Sequence, residues 1–466
     1  ITTTTVPIAY TEKTTNQDGT VTSIKYSDKA GNLIKEVKGT VYTDYSYDGS
    51  GNQVVSYTGN TSDSKSTLNL ALYDEHGQNY KNISEPAVSD GSYTIDSASI
   101  VTTSEFDVNG NVTRKTDGNG NFTTYTYDNN GKVTAVDISG DGTDMSAAYS
   151  DLTDDGISMT TLTDANGGQS IETQNAAGLT TRTLDKSSDE TLSMVTNYTY
   201  DSNGNKIMEE FQDGTTINYT YDNKNQQTQK TSTNSSSVVE SIVNYVYDKY
   251  GDLTSAVKVS GDGLTTYSST AYEYDKLGRQ TKVTTKIGNG ADEVINYTYD
   301  ADGNVTKAEY PSSISSKLSM VEYIYDSYDK LTSIKANGEL AREYSYDGLG
   351  KVTEIKDYDS PGSSSYVLRK YEYDKFQRTT SMIYLEDGDT SKVMESYEYT
   401  YDKDSNILSK LEINNLPDSV KRVNKTTDYT YDSYGRLTKS IVTDHLNAEA
   451  KTQTTYQYDA VGNRIN

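Results

Sequence analysis

The chain of 466 residues has no cysteine and no tryptophan, only four phenylalanines, two histidines and five prolines. Without cysteine there are no disulfides, thiolate metal sites or cysteine nucleophiles, and nothing follows about redox compartment. His76 and His445 stand outside any nucleophile or metal-binding motif, so both are expected on solvent-facing loops. No run approaches the roughly 18 to 20 apolar residues of a membrane span. The opening Ile1-Thr-Thr-Thr-Thr has neither a starting methionine nor a signal-peptide core, so the chain reads as a fragment or processed product. Basic residues are outnumbered, 42 Lys and Arg against 68 Asp and Glu, for a net charge of −26. That balance repels phosphate backbones and anionic lipid surfaces, which argues against nucleic-acid or membrane-surface partners.

What remains is distinctive. Apolar residues make up 33% of the chain, a level that with this charge leans toward disorder. Yet there are 43 tyrosines, and threonine and valine are abundant, whereas disordered chains are poor in aromatic and β-branched residues. The composition indicates an all-β protein with partly wet faces, since each tyrosine buries a large ring while its hydroxyl needs a partner or water.

A short phrase organises the chain. Aligned on an aspartate, 16 units place Asp at 28, 48, 74, 107, 128, 201, 222, 248, 275, 300, 326, 347, 374, 402, 432 and 459, and 13 of them read Tyr-x-Tyr-Asp. From Asp201 onward the spacing is 21 to 30 residues, enough for two strands and two turns but too short for a βαβ unit. Tyrosines two apart, such as Tyr198 and Tyr200, share one face of an extended strand. The aspartate that follows can accept bonds from the backbone two residues on, and a glycine three residues after it can take positive φ. Twelve of the 16 units have that glycine; Asn225 and Asp329 tolerate the left-handed region, while Gln377 and Ser405 are expected to change the loop. The segments after the turn, such as Asn304-Val-Thr-Lys-Ala, alternate polar and apolar as a returning antiparallel strand does. Each unit is thus a hairpin, with Ser- and Gly-rich connections such as 232–237 and 360–365 at the edge of the array. Between Asp128 and Asp201 the interval of 73 residues holds weak matches at Tyr149-Ser-Asp151, Asp164 to Gly167 and Asn175 to Gly178. These read as degenerate repeats (about 137–193) within a single array over 1–466, with no separate catalytic or toxin domain.

The full phrase Tyr-x-Tyr-Asp-x-x-Gly-[Asn/Arg/Lys]-[Leu/Val]-Thr is clearest at Tyr272 to Thr281, Tyr297 to Thr306 and Tyr429 to Thr438. In it the chain resembles the RHS/YD-repeat family of bacterial polymorphic toxins, wall-associated proteins, insecticidal toxin-complex shells and teneurins. The resemblance implies a β-solenoid of successive antiparallel hairpins, spiralling as a shell or ribbon. It further implies a secreted or bacterial cell-surface protein, and a wall around a C-terminal toxin cargo. The implied partners are that polypeptide cargo or other segments of the same shell. About 19 hairpins at roughly 4.8 Å per strand give a ribbon on the order of 180 Å across the ladder, a wall and not a container. Family members commonly continue into a self-cleaving core domain, for which no residues here can be carried over.

Catalysis and ligand binding have little to build on. The aspartates come one per unit, not paired within a motif, and nothing singles out two of the 68 acidic residues as a glycosidase pair. Asp117-Gly-Asn-Gly-Asn121, Asp201-Ser-Asn-Gly-Asn205 and Asp300-Ala-Asp-Gly-Asn304 resemble the start of a calcium loop, but Phe122, Lys206 and Val305 stand where the sixth-position glycine belongs. No enzyme, cofactor or metal is expected. Same-face tyrosines either stack on one another to hold the sheet or present faces to glycans or cell-surface molecules, the alternative being an adhesion module. The structural repeat residues are Tyr198, Tyr200, Asp201 and Gly204; Tyr272, Tyr274, Asp275 and Gly278; Tyr297, Tyr299, Asp300 and Gly303; and Tyr429, Tyr431, Asp432 and Gly435.

Overall fold

The computed structural model describes residues 7–15, 21–89, 92–138, 142–150, 153, 156–311, 318–415, 422–459 and 462–465. Among them there is no helix. Thirty-six strands form one antiparallel sheet, and Ala87–Ser89 with Ser92–Thr94 form a second, two-stranded one. Strands that follow one another pair, as where Ser193–Tyr200 joins Lys206–Phe211, that joins Thr216–Tyr221, and that joins Gln227–Thr233. The short insert Ala87–Thr94 is stepped over, because Asn79–Ser84 pairs directly with Ile100–Phe106. This is the ribbon of successive hairpins that the repeat spacing implies.

The chain divides into two compact units, one made of residues 1–142 with 323–466 and the other of 143–322. Neither has a conventional core. Eight apolar side chains are buried among the described residues. The surface is 26855 Å², against roughly 17,000 Å² for a compact globule of this mass. A single-layer sheet has no second layer to pack on, so its order rests on the hydrogen-bonded ladder and on contacts between neighbouring strands. The exception in the first unit is a cluster of Val55, Leu68, Leu70 and Ile83, against which Tyr57, Leu72, Tyr93 and Val101 pack. Tyr93 comes from the short insert, which thus supplies a local cover.

The turn residue pattern departs from expectation at two positions. Gln377 and Ser405 do not change the loop: they sit at φ 64 and 70 and donate to Asp374 O and Asp402 O at 3.0 and 3.3 Å, as the glycines do elsewhere. The aspartate's own bonds hold the loop and impose the left-handed conformation, which costs a non-glycine residue about 1 kcal/mol or more. At Gln377 the buried Oε1 is in addition without a hydrogen-bond partner. Gln377→Gly is therefore expected to stabilise the protein by about 1 kcal/mol, read as a higher denaturation midpoint. An unchanged or lower midpoint contradicts this account.

Candidate functional site: the repeated turn, its tyrosine and the seam

The aspartate of each unit is a hub. In the unit of Asp201, Oδ1 accepts from Asn203 N and Asn205 N, both at 2.9 Å, and Oδ2 accepts from Asn205 Nδ2 at 2.9 Å. Gly204, at φ 85, donates to Asp201 O at 3.2 Å, and Asp201 N donates to Asn205 O at 3.0 Å. This is a type I turn closed by a left-handed residue, the common three-residue hairpin loop, with an Asx cap added. Asp300 repeats it with Asp302 N, Asn304 N and Asn304 Nδ2, and Gly303 stands at φ 98. At Asp275 and Asp432 an arginine takes the fifth place: Arg279 Nε and Arg436 Nε donate to Oδ2 at 2.7 and 2.8 Å. Gly278 and Gly435 close those loops at φ 76 and 75. The side-chain bond from Asn205 and the backbone bonds behind it hold the Asp201 carboxyl below the usual aspartate range. Such a carboxylate is spent as an acceptor and is a poor proton donor.

The weak matches share this geometry. Asp164 accepts from Asn166 N and Gly168 N at 2.9 and 2.8 Å, and Asn175 accepts through Oδ1 from Ala177 N and Leu179 N, both at 3.0 Å. Asp151, of the third weak match, lies outside the described residues. The strands Met145–Tyr149, Ser158–Asp164, Gln169–Gln174 and Thr180–Lys186 pair in succession there. The cavity beside them, of about 500 Å³, is lined by Met145, Leu162, Leu192 and Met194 together with Asp185 and Lys186.

The two tyrosines of the phrase do different things. Both face the same side, with the spacer exposed between them, as at Tyr198, Thr199 and Tyr200. The strand register slips by one residue just before the second tyrosine, at Thr199/Tyr200, Glu273/Tyr274, Thr298/Tyr299 and Thr430/Tyr431, a bulge that bends the strand locally. The second hydroxyl then reaches back to the preceding unit. Tyr200 donates to Thr180 O, Tyr274 to Leu253 O and Tyr299 to Gln280 O, each at 2.7 Å, and Tyr431 to Ile407 O at 2.9 Å. Tyr47, Tyr127, Tyr221, Tyr247, Tyr346, Tyr373, Tyr401 and Tyr458 do the same. The acceptor always lies five residues after the preceding turn's Asp or Asn. Tyrosine rings on paired strands do meet, at Tyr42 with Tyr57, Tyr358 with Tyr366 and Tyr384 with Tyr397, 5.7 to 6.4 Å apart, and Tyr399 and Tyr401 stack within one phrase, but the contact that recurs through the phrase is this hydroxyl latch.

The first tyrosines pack laterally: Lys206 Nζ lies 5.5 Å from the rings of both Tyr198 and Tyr219. Tyr272, Tyr297 and Tyr429 are likewise half-buried on that face. Burial pushes the Tyr297 hydroxyl above its ordinary pKa. Where the loop carries arginine, its guanidinium continues into the next unit. Arg279 donates to Asp300 O at 2.7 Å and lies 4.7 Å from the Tyr299 ring, and Arg378 and Tyr401 repeat the arrangement at 4.8 Å.

A second kind of contact is confined to the first unit, where turn tips of 323–466 meet connections of 1–142. Gly348 N donates to Asp63 Oδ2 at 3.0 Å, and Lys65 Nζ to Asp347 Oδ2 at 2.9 Å. Gly118 N and Asn119 N donate to the two carboxylate oxygens of Asp404 at 2.7 and 3.1 Å, and Asn119 Nδ2 to Asp402 Oδ2 at 2.9 Å. Lys375 Nζ donates to Glu85 O at 3.3 Å, and the Tyr328 ring lies on Gly39. The hydrogen-bonded partners are 282 to 290 residues apart. In strands the register is constant: 23 strands of the large sheet separate each connection from its tip. This edge-to-edge seam was not legible in the sequence, because the tips carry the same phrase as every other turn.

Capped hairpins, most of them latched to the preceding one by a tyrosine hydroxyl, define a protein of repeated β-hairpins. Residues 106–143 match the family model for the RHS Repeat. The fold of the chain is similar to the crystal structure of TcdB2-TccC3-Cdc42, with a TM-score of 0.59 and 13% identity over 98% of this chain and 29% of that one. The crystal structure of TcdB2-TccC3-TEV gives 0.45 and 13% over 95% and 26%. A Tc holotoxin pore of Photorhabdus luminescens gives 0.34 and 14% over 88% and 27%. The chain therefore spans less than a third of those chains' length, and the likeness is one of fold. Curated protein sequences give no match.

Proposed function

We propose that this chain is a non-enzymatic wall segment of a secreted or surface-delivered RHS protein, one array over 1–466 that holds a downstream polypeptide cargo apart from its surroundings. The observation that carries the reading is the seam. Edges of the ribbon in the first unit are joined there by hydrogen-bonded turns, a contact that a barrier needs. The turn aspartates support it from the chemical side, since their oxygens are occupied by backbone and side-chain donors. The tyrosine faces contribute to the same end, because the second hydroxyl of the phrase is committed to the neighbouring unit and not offered to a glycan.

The test is limited proteolysis of the full-length gene product. The segment downstream of Asn466 is expected to be cut far more slowly there than when expressed alone, and to become sensitive when the seam is broken by Gly348→Val. A side chain at 348 would fall on Asn60, 2.1 Å from its Cγ. Equal cleavage of the enclosed and the isolated segment refutes the barrier reading.

A further inference from the structure

Turn tips differ in one respect that the repeat does not require. The residue two after the aspartate is large and apolar or aromatic at three of the four seam tips, Tyr328, Leu349 and Phe376, the fourth carrying Asp404, and small or polar at Ala30, Ser50, His76, Asn109, Asn130 and Asn203. At the seam Leu349 and Phe376 are half-buried. The same position is also large at Tyr434, which is half-buried, and at two tips away from the seam. Tyr250 is 79% exposed and Leu277 71% exposed, although they belong to consecutive turns, those of Asp248 and Asp275. Lys249 Nζ lies 4.6 Å from the Tyr250 ring, a contact within the tip that covers little of it.

The seam shows what such a pair fits. Tyr328 rests on Gly39, the left-handed glycine of a tight hairpin, where an added side chain would lie 3.1 Å from the ring. The next tip, with Leu349, meets the longer polar connection of Asn60 to Lys65 through Gly348 and Asp347. The same pair of platforms recurs later in the chain. Gly338, at φ 88 in the tight hairpin between Lys335–Ala336 and Glu339–Leu340, has nothing within 4 Å of where a side chain would stand. The following connection is again longer and polar, Ser360-Pro-Gly-Ser-Ser364.

We propose that a second copy of this chain docks here, its Tyr250 and Leu277 tips seated on the Gly338 hairpin and the 360–364 connection of the first, as Tyr328 and Leu349 are seated on Gly39 and 60–65. The inference goes beyond the barrier reading and does not depend on it. The contact is heterologous, tip edge to connection edge, so copies add head to tail. It is small, so association is weak, with a dissociation constant on the order of 100 μM. Copies of net charge −26 repel, so salt strengthens the association by screening.

Sedimentation velocity of the 1–466 chain over a concentration series tests this. The wild type is expected to associate progressively, and the double variant Tyr250→Ser with Leu277→Ser to do so at least about tenfold more weakly. Both residues are exposed, so unchanged circular dichroism verifies the fold. Gly338→Asn, which tolerates positive φ, removes the platform instead. Mixing the two variants pairs the intact platform of one with the intact tips of the other and should restore a dimer that does not grow. A wild type that stays monomeric to about 1 mM overturns the proposal. So does association untouched by the tip substitutions, which would arise from open strand edges, or a mixture that restores nothing.

Discussion

Asp347→Ala is expected to cost about 3 kcal/mol at the seam. Its side chain is 3% exposed. Oδ1 accepts from Leu349 N and Lys351 N at 3.0 and 2.8 Å, while Oδ2 accepts from Lys65 Nζ at 2.9 Å. Alanine therefore orphans two backbone donors and an ammonium group at once, and unpaired groups of this kind cost more than the bonds contributed. The Lys65 side chain is 40% exposed, and water takes over part of its loss, which keeps the figure at the lower end for a broken ion pair. In a repeat array each unit contacts mainly its neighbours, so the loss is local and hydrogen exchange is the suitable readout. Protection should fall at Gly348 and Leu349, and across the seam at Asp63 and Lys65. Asp48→Ala removes the same turn cap, from Ser50 N, Asn52 N and Asn52 Nδ2, at a tip that touches no distant segment, and its effect should stay within its own hairpin. Equal spread of lost protection in the two variants would show that Asp347 is only a turn residue.

Much of this architecture is legible in the sequence because the repeat makes local signals agree. Aspartate, a left-handed residue three places on and alternating strands on either side point to one hairpin, sixteen times over. What the sequence withholds are contacts whose second partner is backbone. The latch of Tyr274 ends on the carbonyl of Leu253, and a carbonyl leaves no mark on residue identity. A trace is nevertheless present: 43 tyrosines against four phenylalanines means that the hydroxyl is selected along with the ring. Among the sixteen phrases Phe106 is the one phenylalanine in that place. The seam is harder still. Gly348 and Gly49 each follow the aspartate of the same phrase, and only the fold places the Asn60 side chain against one of them.

The latch makes alkaline pH the condition under which the protein should fail. Burial raises the hydroxyl pKa of Tyr47, Tyr127, Tyr200, Tyr221, Tyr247, Tyr274, Tyr346, Tyr373, Tyr401 and Tyr431 above the ordinary value near 10. A folded state with raised values keeps protons that the unfolded chain releases. Its stability from these groups is complete below pH 10 and is lost as pH climbs past the unfolded value toward the folded ones. Ionisation also turns each donor into an anion facing a carbonyl oxygen, so one event removes a bond and adds repulsion. Twelve such latches link units to the ones before them, and the losses should therefore appear as a joint transition. Circular dichroism is expected to collapse above pH 10 together with the tyrosinate absorbance step. Tyr358, bonded to the Glu343 carboxylate at 2.6 Å, and Tyr397, half-buried beside Glu395, are both pushed up to about 12 and should ionise late in any folded remainder. Tyr274→Phe with Tyr373→Phe separates the two contributions. Losing each bond should cost about 1 kcal/mol at neutral pH, while the alkaline transition moves upward because two ionisations are gone. An alkaline transition that moves down in step with neutral stability would mean that the hydroxyls matter as packing volume and not as titrating donors.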